Sequence, residues 1–135
     1  MRTFLGGLAG IAALLVVMVT LGWVATLGHP VPETARVGAA ARAAWLAGAP
    51  LSARLALIAG GLLGALTGTL VALRIARSVP AAWIVTAAGA LLALPNFLLF
   101  SQPWWMQAAV LAAPLIGGWI AMRLAAAPTR IPAEP

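Results

Sequence analysis

Residues 53–75 read ARLALIAGGLLGALTGTLVALRI, an apolar run whose only charges, Arg54 and Arg74, stand near its two ends. A helix needs about 20 residues to cross a hydrocarbon core, and this run is long enough. Its glycines recur every four residues at Gly60, Gly64 and Gly68, and Ala56, Ala72 and Ala76 continue the series in both directions. That spacing draws a smooth groove along one side of a helix. In lipid, where leucine gains nothing by leaving the solvent, helices associate through such grooves.

Three further runs share this character: residues 4–27, 81–100 and 104–124. None carries a charge in its middle, and all are too long and too unalternating to be barrel strands. The whole chain agrees, with hydrophobic residues at 64% and charged residues at 7%, against roughly 25% charged in soluble proteins. The reading is an all-α polytopic membrane protein, one domain over residues 1–127 with four transmembrane helices, followed by a short polar tail at 128–135. The first run follows Arg2 and is about twice the length of a secretory signal core. It lacks a small-x-small cleavage pattern before Leu27, so it is expected to be retained. Ser52, Ser78 with Pro80, and Ser101 with Pro103 are expected to cap the second, third and fourth helices.

The 135-residue chain has a net charge of +6 from eight arginines and two glutamates, Glu33 and Glu134. The arginines flank apolar runs rather than forming a patch, which points to lipid headgroups and away from nucleic acid. Arg2, Arg74, Arg77, Arg123 and Arg130 fall on one side, and Arg36, Arg42 and Arg54 on the other. The excess of positive charge predicts that both termini are cytoplasmic. All six tryptophans then lie near an interface, Trp23, Trp45, Trp104 and Trp105 outside and Trp83 and Trp119 inside. Alanine, glycine and arginine richness without lysine suggests a GC-rich bacterial genome, hence a bacterial inner membrane.

Between the first two runs, residues 32–48 have the marks of a short helix, with Pro32 and Glu33 at its start and Gly48, Ala49 and Pro50 at its stop. It either lies in the membrane interface or packs as an ordered segment on the end of the bundle. The fourth run repeats the small-residue stripe with Ala109, Ala113, Gly117, Ala121 and Ala125, and the first has Gly6 and Gly10. Gly60, Gly64, Gly68 and Gly117 are therefore the candidate helix-packing residues. They serve either one bundle or a glycine-zipper seam between copies, and Gly64→Leu is expected to disrupt fold or assembly.

Few side chains within these runs could do chemistry. Thr20, Thr26, Thr67, Thr69 and Thr86 are expected mainly to bond the carbonyl one turn back. Asn96 follows Pro95, whose missing donor frees a carbonyl, and Pro114 interrupts the fourth run in the same way. Asn96, Gln107, Thr67 and His29 are the candidates for a polar path. His29 could serve as a proton relay or simply as an interfacial polar residue. No Asp or Glu stands inside any run, cysteine is absent, and no nucleophilic triad, phosphate loop or metal-ligand cluster is present. No cofactor, metal or catalytic residue is expected.

Gly28-His29 followed by Pro30 and Pro32, the segment Ala72-Leu73-Arg74-Ile75-Ala76, Asn96, and Pro103-Trp104-Trp105 together resemble a family of small bacterial membrane proteins. The resemblance covers most of residues 1–125. It implies a four-helix integral membrane fold and brings no activity with it. In that family a glutamate tends to precede the histidine and a histidine the later proline, whereas here Trp23–Leu27 and Gln102 occupy those places. The expected function is that of a non-enzymatic accessory or scaffold element, packing with itself or with a larger membrane complex. The alternative is a small oligomeric transporter or channel with a path near Asn96.

Overall fold

A computed structural model describes residues 1–99 and 103–126, and for residues 39, 46 and 96–99 the backbone alone. Every regular element among these residues is a helix: α1 (Arg2–Gly28), α2 (Glu33–Val37), α3 (Ala39–Ala47), α4 (Leu51–Ala76), α5 (Val79–Leu99) and α6 (Trp104–Ala126). Helices α1, α4 and α6 are each long and apolar enough to cross a membrane, and α5 carries a shorter apolar stretch, Val79–Pro95. The C-terminal tail at 128–135, and the end of the third run at Phe100, lie outside the described residues.

Helix α4 is the centre of the bundle, in contact with α1, α5 and α6. Its glycine groove takes α1 antiparallel, with residues of the two helices meeting at every fourth position. Gly6 faces Ala76 and Ala72, Gly10 faces Ala72 and Gly68, and Leu14 and Met18 close over Gly68 and Gly64. The approach is backbone to backbone. A Cβ built on Gly10 would sit 2.6 Å from the Gly68 carbonyl oxygen, and one on Gly68 would sit 2.5 Å from the Gly10 carbonyl oxygen. Only the absence of both side chains lets the two helices touch there.

The far side of α4 receives α6 in the parallel sense. A Cβ on Gly117 would run into the backbone of Leu62, and Gly61 lies against Ala113 and the ring of Pro114. Helix α5 closes the bundle antiparallel to both. Gly89 seats the Pro114 ring from the other side, and Gly118 leaves space for Thr86. Pro114 is expected from the sequence to interrupt this run, but α6 continues unbroken through it, and glycines on two neighbouring helices accommodate its ring. The buried centre is correspondingly slight, comprising Leu14, Ala65, Ala72, Ala81 and Val85. A second cluster joins Ala93, Met106 and Val110.

One polar contact crosses this core. Thr69 and Thr86 are both buried, with their hydroxyls 3.3 Å apart. Thr86 spends its single proton on the Ala82 carbonyl at 2.9 Å, so Thr69 must be the donor between them. Thr20 and Thr26 donate to the carbonyls of Val16 and Trp23, each at 2.7 Å.

Two further local readings are corrected. Residues 32–48 form two helices rather than one, because Gly38 adopts an extended backbone (φ −121, ψ 130) that ends α2. The low helix propensity of glycine makes the break cheap, and Arg42 stabilises it by donating to the carbonyls of Ala35 and Arg36 at 3.2 and 3.3 Å. An arginine from α3 thus caps the C-terminus of α2. Ser52 lies inside α4, which begins after an extended Pro50 and has no side-chain cap. The Pro50 carbonyl already accepts from Ala53 and Arg54. Ser78 does precede α5, but its hydroxyl reaches Thr3 at 3.5 Å and so ties the turn to the start of α1. At that same turn Arg77 caps α4 in the left-handed region, with φ 51.

Candidate functional site

The four-residue series of α1 runs on from Met18 to Gly22, and there the seam opens. Gly60 still meets Leu21, but a Cβ on Gly22 would find nothing within 4 Å. Beyond this point α1 and α4 leave a recess between them, and the connector folds over it.

The fold-back has identifiable causes. Pro30 and Pro32 turn the chain away from α1, and Trp45 on α3 returns to it by donating its indole N–H to the Pro30 carbonyl at 3.2 Å. The His29 ring stacks on that indole, with centroids 5.0 Å apart and planes inclined by 15°. His29 Nε2 also makes a long hydrogen bond, 3.4 Å, with the Trp45 carbonyl, which can only accept, so Nε2 carries the proton in that contact. Arg54, in the first turn of α4, donates to the Ala47 carbonyl at 2.8 Å and so caps α3.

The resulting cavity measures about 210 Å³ and is lined by Gly22, Ala25, Thr26, Ala49, Leu57 and the buried Met106. His29, Trp45 and Arg54 also line it, in a wall that is almost wholly apolar. The Thr26 hydroxyl is already bonded to its own helix. Chemically the site offers one guanidinium, bonded among the described residues only to the Ala47 carbonyl, one imidazole and a mostly apolar wall. The described residues contain no group of three His, Cys, Asp or Glu side chains that could hold a metal.

The four polar-path candidates do not come together. His29 lines the cavity, next to Ala53 of α4. Thr67, at roughly 1.5 Å of rise per residue, lies about 20 Å further along that helix. Gln107 is half-buried next to Met106 but does not line the cavity. The side chain of Asn96 lies outside the described residues. Of the packing candidates, Gly60, Gly64 and Gly68 face α1, and Gly117 meets the backbone of α4.

Sequence reasoning passed over Gly22, Trp45 and Arg54 as site residues. The available signal was Gly22 itself, a glycine in register with Gly6 and Gly10. Comparison with family models, with curated proteins and with solved structures finds nothing that matches this chain, so the family resemblance rests on its motifs alone.

Proposed function

We propose that this chain is an integral membrane protein that spans the bilayer four times with both termini in the cytoplasm. It would serve a bacterial inner membrane as a non-enzymatic accessory element. The observation that carries the reading is the inverted distribution of side-chain size. Glycine, alanine and threonine line the closest contacts between helices, with Leu14, Val85 and Met106 as the larger side chains buried there, while Leu15, Val16, Val19, Leu63, Leu91, Leu115 and Ile116 point outward along the shafts of α1, α4, α5 and α6. In water each such side chain forgoes about 1.5–3 kcal/mol of burial. In lipid the arrangement costs nothing, and close helix contact becomes the main attraction. At the ends, Trp23, Trp83, Trp104 and Trp119 are exposed, and the Arg123 guanidinium stands 5.2 Å over the ring of Trp119, a pairing suited to the headgroup layer.

The glycine faces are occupied by the chain's own helices, since Gly64 is closed by Met18 and Leu14. A second copy or a larger complex would therefore meet the leucine-rich exterior. The chain lacks cysteine, so single introduced thiols report its topology cleanly. With Thr34→Cys and Ala126→Cys, both at exposed positions, an impermeant maleimide should label the first in intact cells and the second only after permeabilisation. Extraction of the protein by alkaline carbonate, or the reverse labelling pattern, would refute the topology. Reconstituted vesicles should show no solute flux, and flux carried by the purified chain would overturn the accessory role.

A further inference from the structure

The glycines in the α1, α4, α5 and α6 contacts described above have neighbours that explain them; Gly22 and Gly28 have none within 4 Å, and of these two only Gly22 lines a cavity. A glycine inside a helix costs about 1 kcal/mol relative to alanine, and no neighbouring side chain of this chain fills the space that Gly22 leaves. The space is the recess of about 210 Å³ between α1 and α4, larger than the roughly 150 Å³ that suffices for an engineered apolar cavity to hold benzene. The charge at this end of the bundle is one-sided. Arg36, Arg42 and Arg54 stand there with one carboxylate among the described residues, Glu33, which is 3.4 Å from Arg36. Arg42 is turned to the carbonyls of α2. Arg54 is the arginine on the cavity wall, and among the described residues one of its five donors is used, by the Ala47 carbonyl.

We propose that this cavity is a site for a single anionic phospholipid, whose phosphate meets Arg54 while one acyl chain fills the apolar recess beside Gly22. The proposal rests on the membrane reading above. An apolar pocket alone would accept any chain, and a guanidinium alone any anion, so it is their juxtaposition that selects an amphiphile with negative charge at one end. The stacked rings of His29 and Trp45 form a rigid side of the entrance, and both are pinned by backbone carbonyls. Ala25, Ala49 and Ala53 keep the walls low enough for a flexible chain to lie between the helices.

The test is native mass spectrometry of the detergent-purified full chain, with added dioleoyl phosphatidylglycerol or dioleoyl phosphatidylcholine. Wild type should retain one phosphatidylglycerol in preference to phosphatidylcholine. Gly22→Leu places a branched side chain where the structure leaves room, and should weaken phosphatidylglycerol retention by at least about tenfold, equivalent to about two methylene groups denied burial. Arg54→Gln should keep a lipid but lower the preference for the anionic one by about fivefold, while Arg54→Lys should preserve it. Variants are compared only when they elute and show helical circular dichroism as wild type does. Equal retention of the two lipids by wild type, or undiminished phosphatidylglycerol on Gly22→Leu, would overturn the site. Either result in a protein that still resists carbonate leaves the membrane reading standing, whereas release by carbonate defeats that reading first.

Discussion

Alanine at position 68 tests the backbone contact between α1 and α4. Its methyl would fall 2.5 Å from the Gly10 carbonyl oxygen and 2.9 Å from Leu14 Cβ. A carbon–oxygen contact settles near about 3.3 Å, so α1 must retreat by roughly 0.8 Å at this crossing. If each of the four steps of the seam holds about ten atom pairs at about 0.1–0.2 kcal/mol, the seam is worth about 4–8 kcal/mol. A retreat of that size forfeits about a quarter to a half of each contact it reaches. The better helix propensity of alanine returns about 1 kcal/mol, leaving a net loss of about 1.5 kcal/mol. Gly22→Ala is the matched control, because it meets open space and should gain up to about 1 kcal/mol. Unfolding by dodecyl sulfate in mixed micelles, followed by far-ultraviolet circular dichroism, should shift to lower detergent fraction for Gly68→Ala and stay level or rise for Gly22→Ala. Wild-type resistance in Gly68→Ala would refute the contact as the element that sets the helix spacing.

Further expectations concern the polar contacts. A double-mutant cycle with Thr69→Val and Thr86→Val should give a coupling of about 0.6 kcal/mol, since one shared hydrogen bond is lost either way, and zero coupling would mean the hydroxyls act independently. Arg42→Gln should speed hydrogen exchange in residues 33–37 severalfold while leaving α4 unchanged. Protection equal to wild type would show that α2 holds without its borrowed cap.

Much of the architecture was legible because a lipid solvent, the medium proposed above, would impose it. Long apolar runs such as 53–75, charged only near their ends, must become helices where no water can satisfy the backbone, and the glycine series marks the face that packs. The partner of that face was not legible. Gly60, Gly64 and Gly68 specify a groove that any smooth helix could enter, and only the close fit of Gly6 and Gly10 against Ala72 and Gly68 selects α1. The split at Gly38 escaped a reading made from the start signals at Pro32 and Glu33 and the stop at Gly48, Ala49 and Pro50, because these mark the two ends, whereas a glycine between them acts through its backbone. Arg42 and Arg54 read as headgroup anchors, and their capping of α2 and α3 depends on how the connector folds. The cavity was the least legible feature. His29 and Trp45 are 16 positions apart, and nothing local announces that a proline-directed turn stacks one on the other.

Residue 77 answers to two masters. The turn after α4 holds it at φ 51, a geometry that charges any residue with a β-carbon about 1 kcal/mol and glycine almost nothing. Yet an arginine stands there, and in the proposed topology it is one of five cations that bias which way the chain threads. A glycine in its place would tighten the corner and erode the compass, so Arg77→Gly should yield a sturdier protein inserted with poorer fidelity.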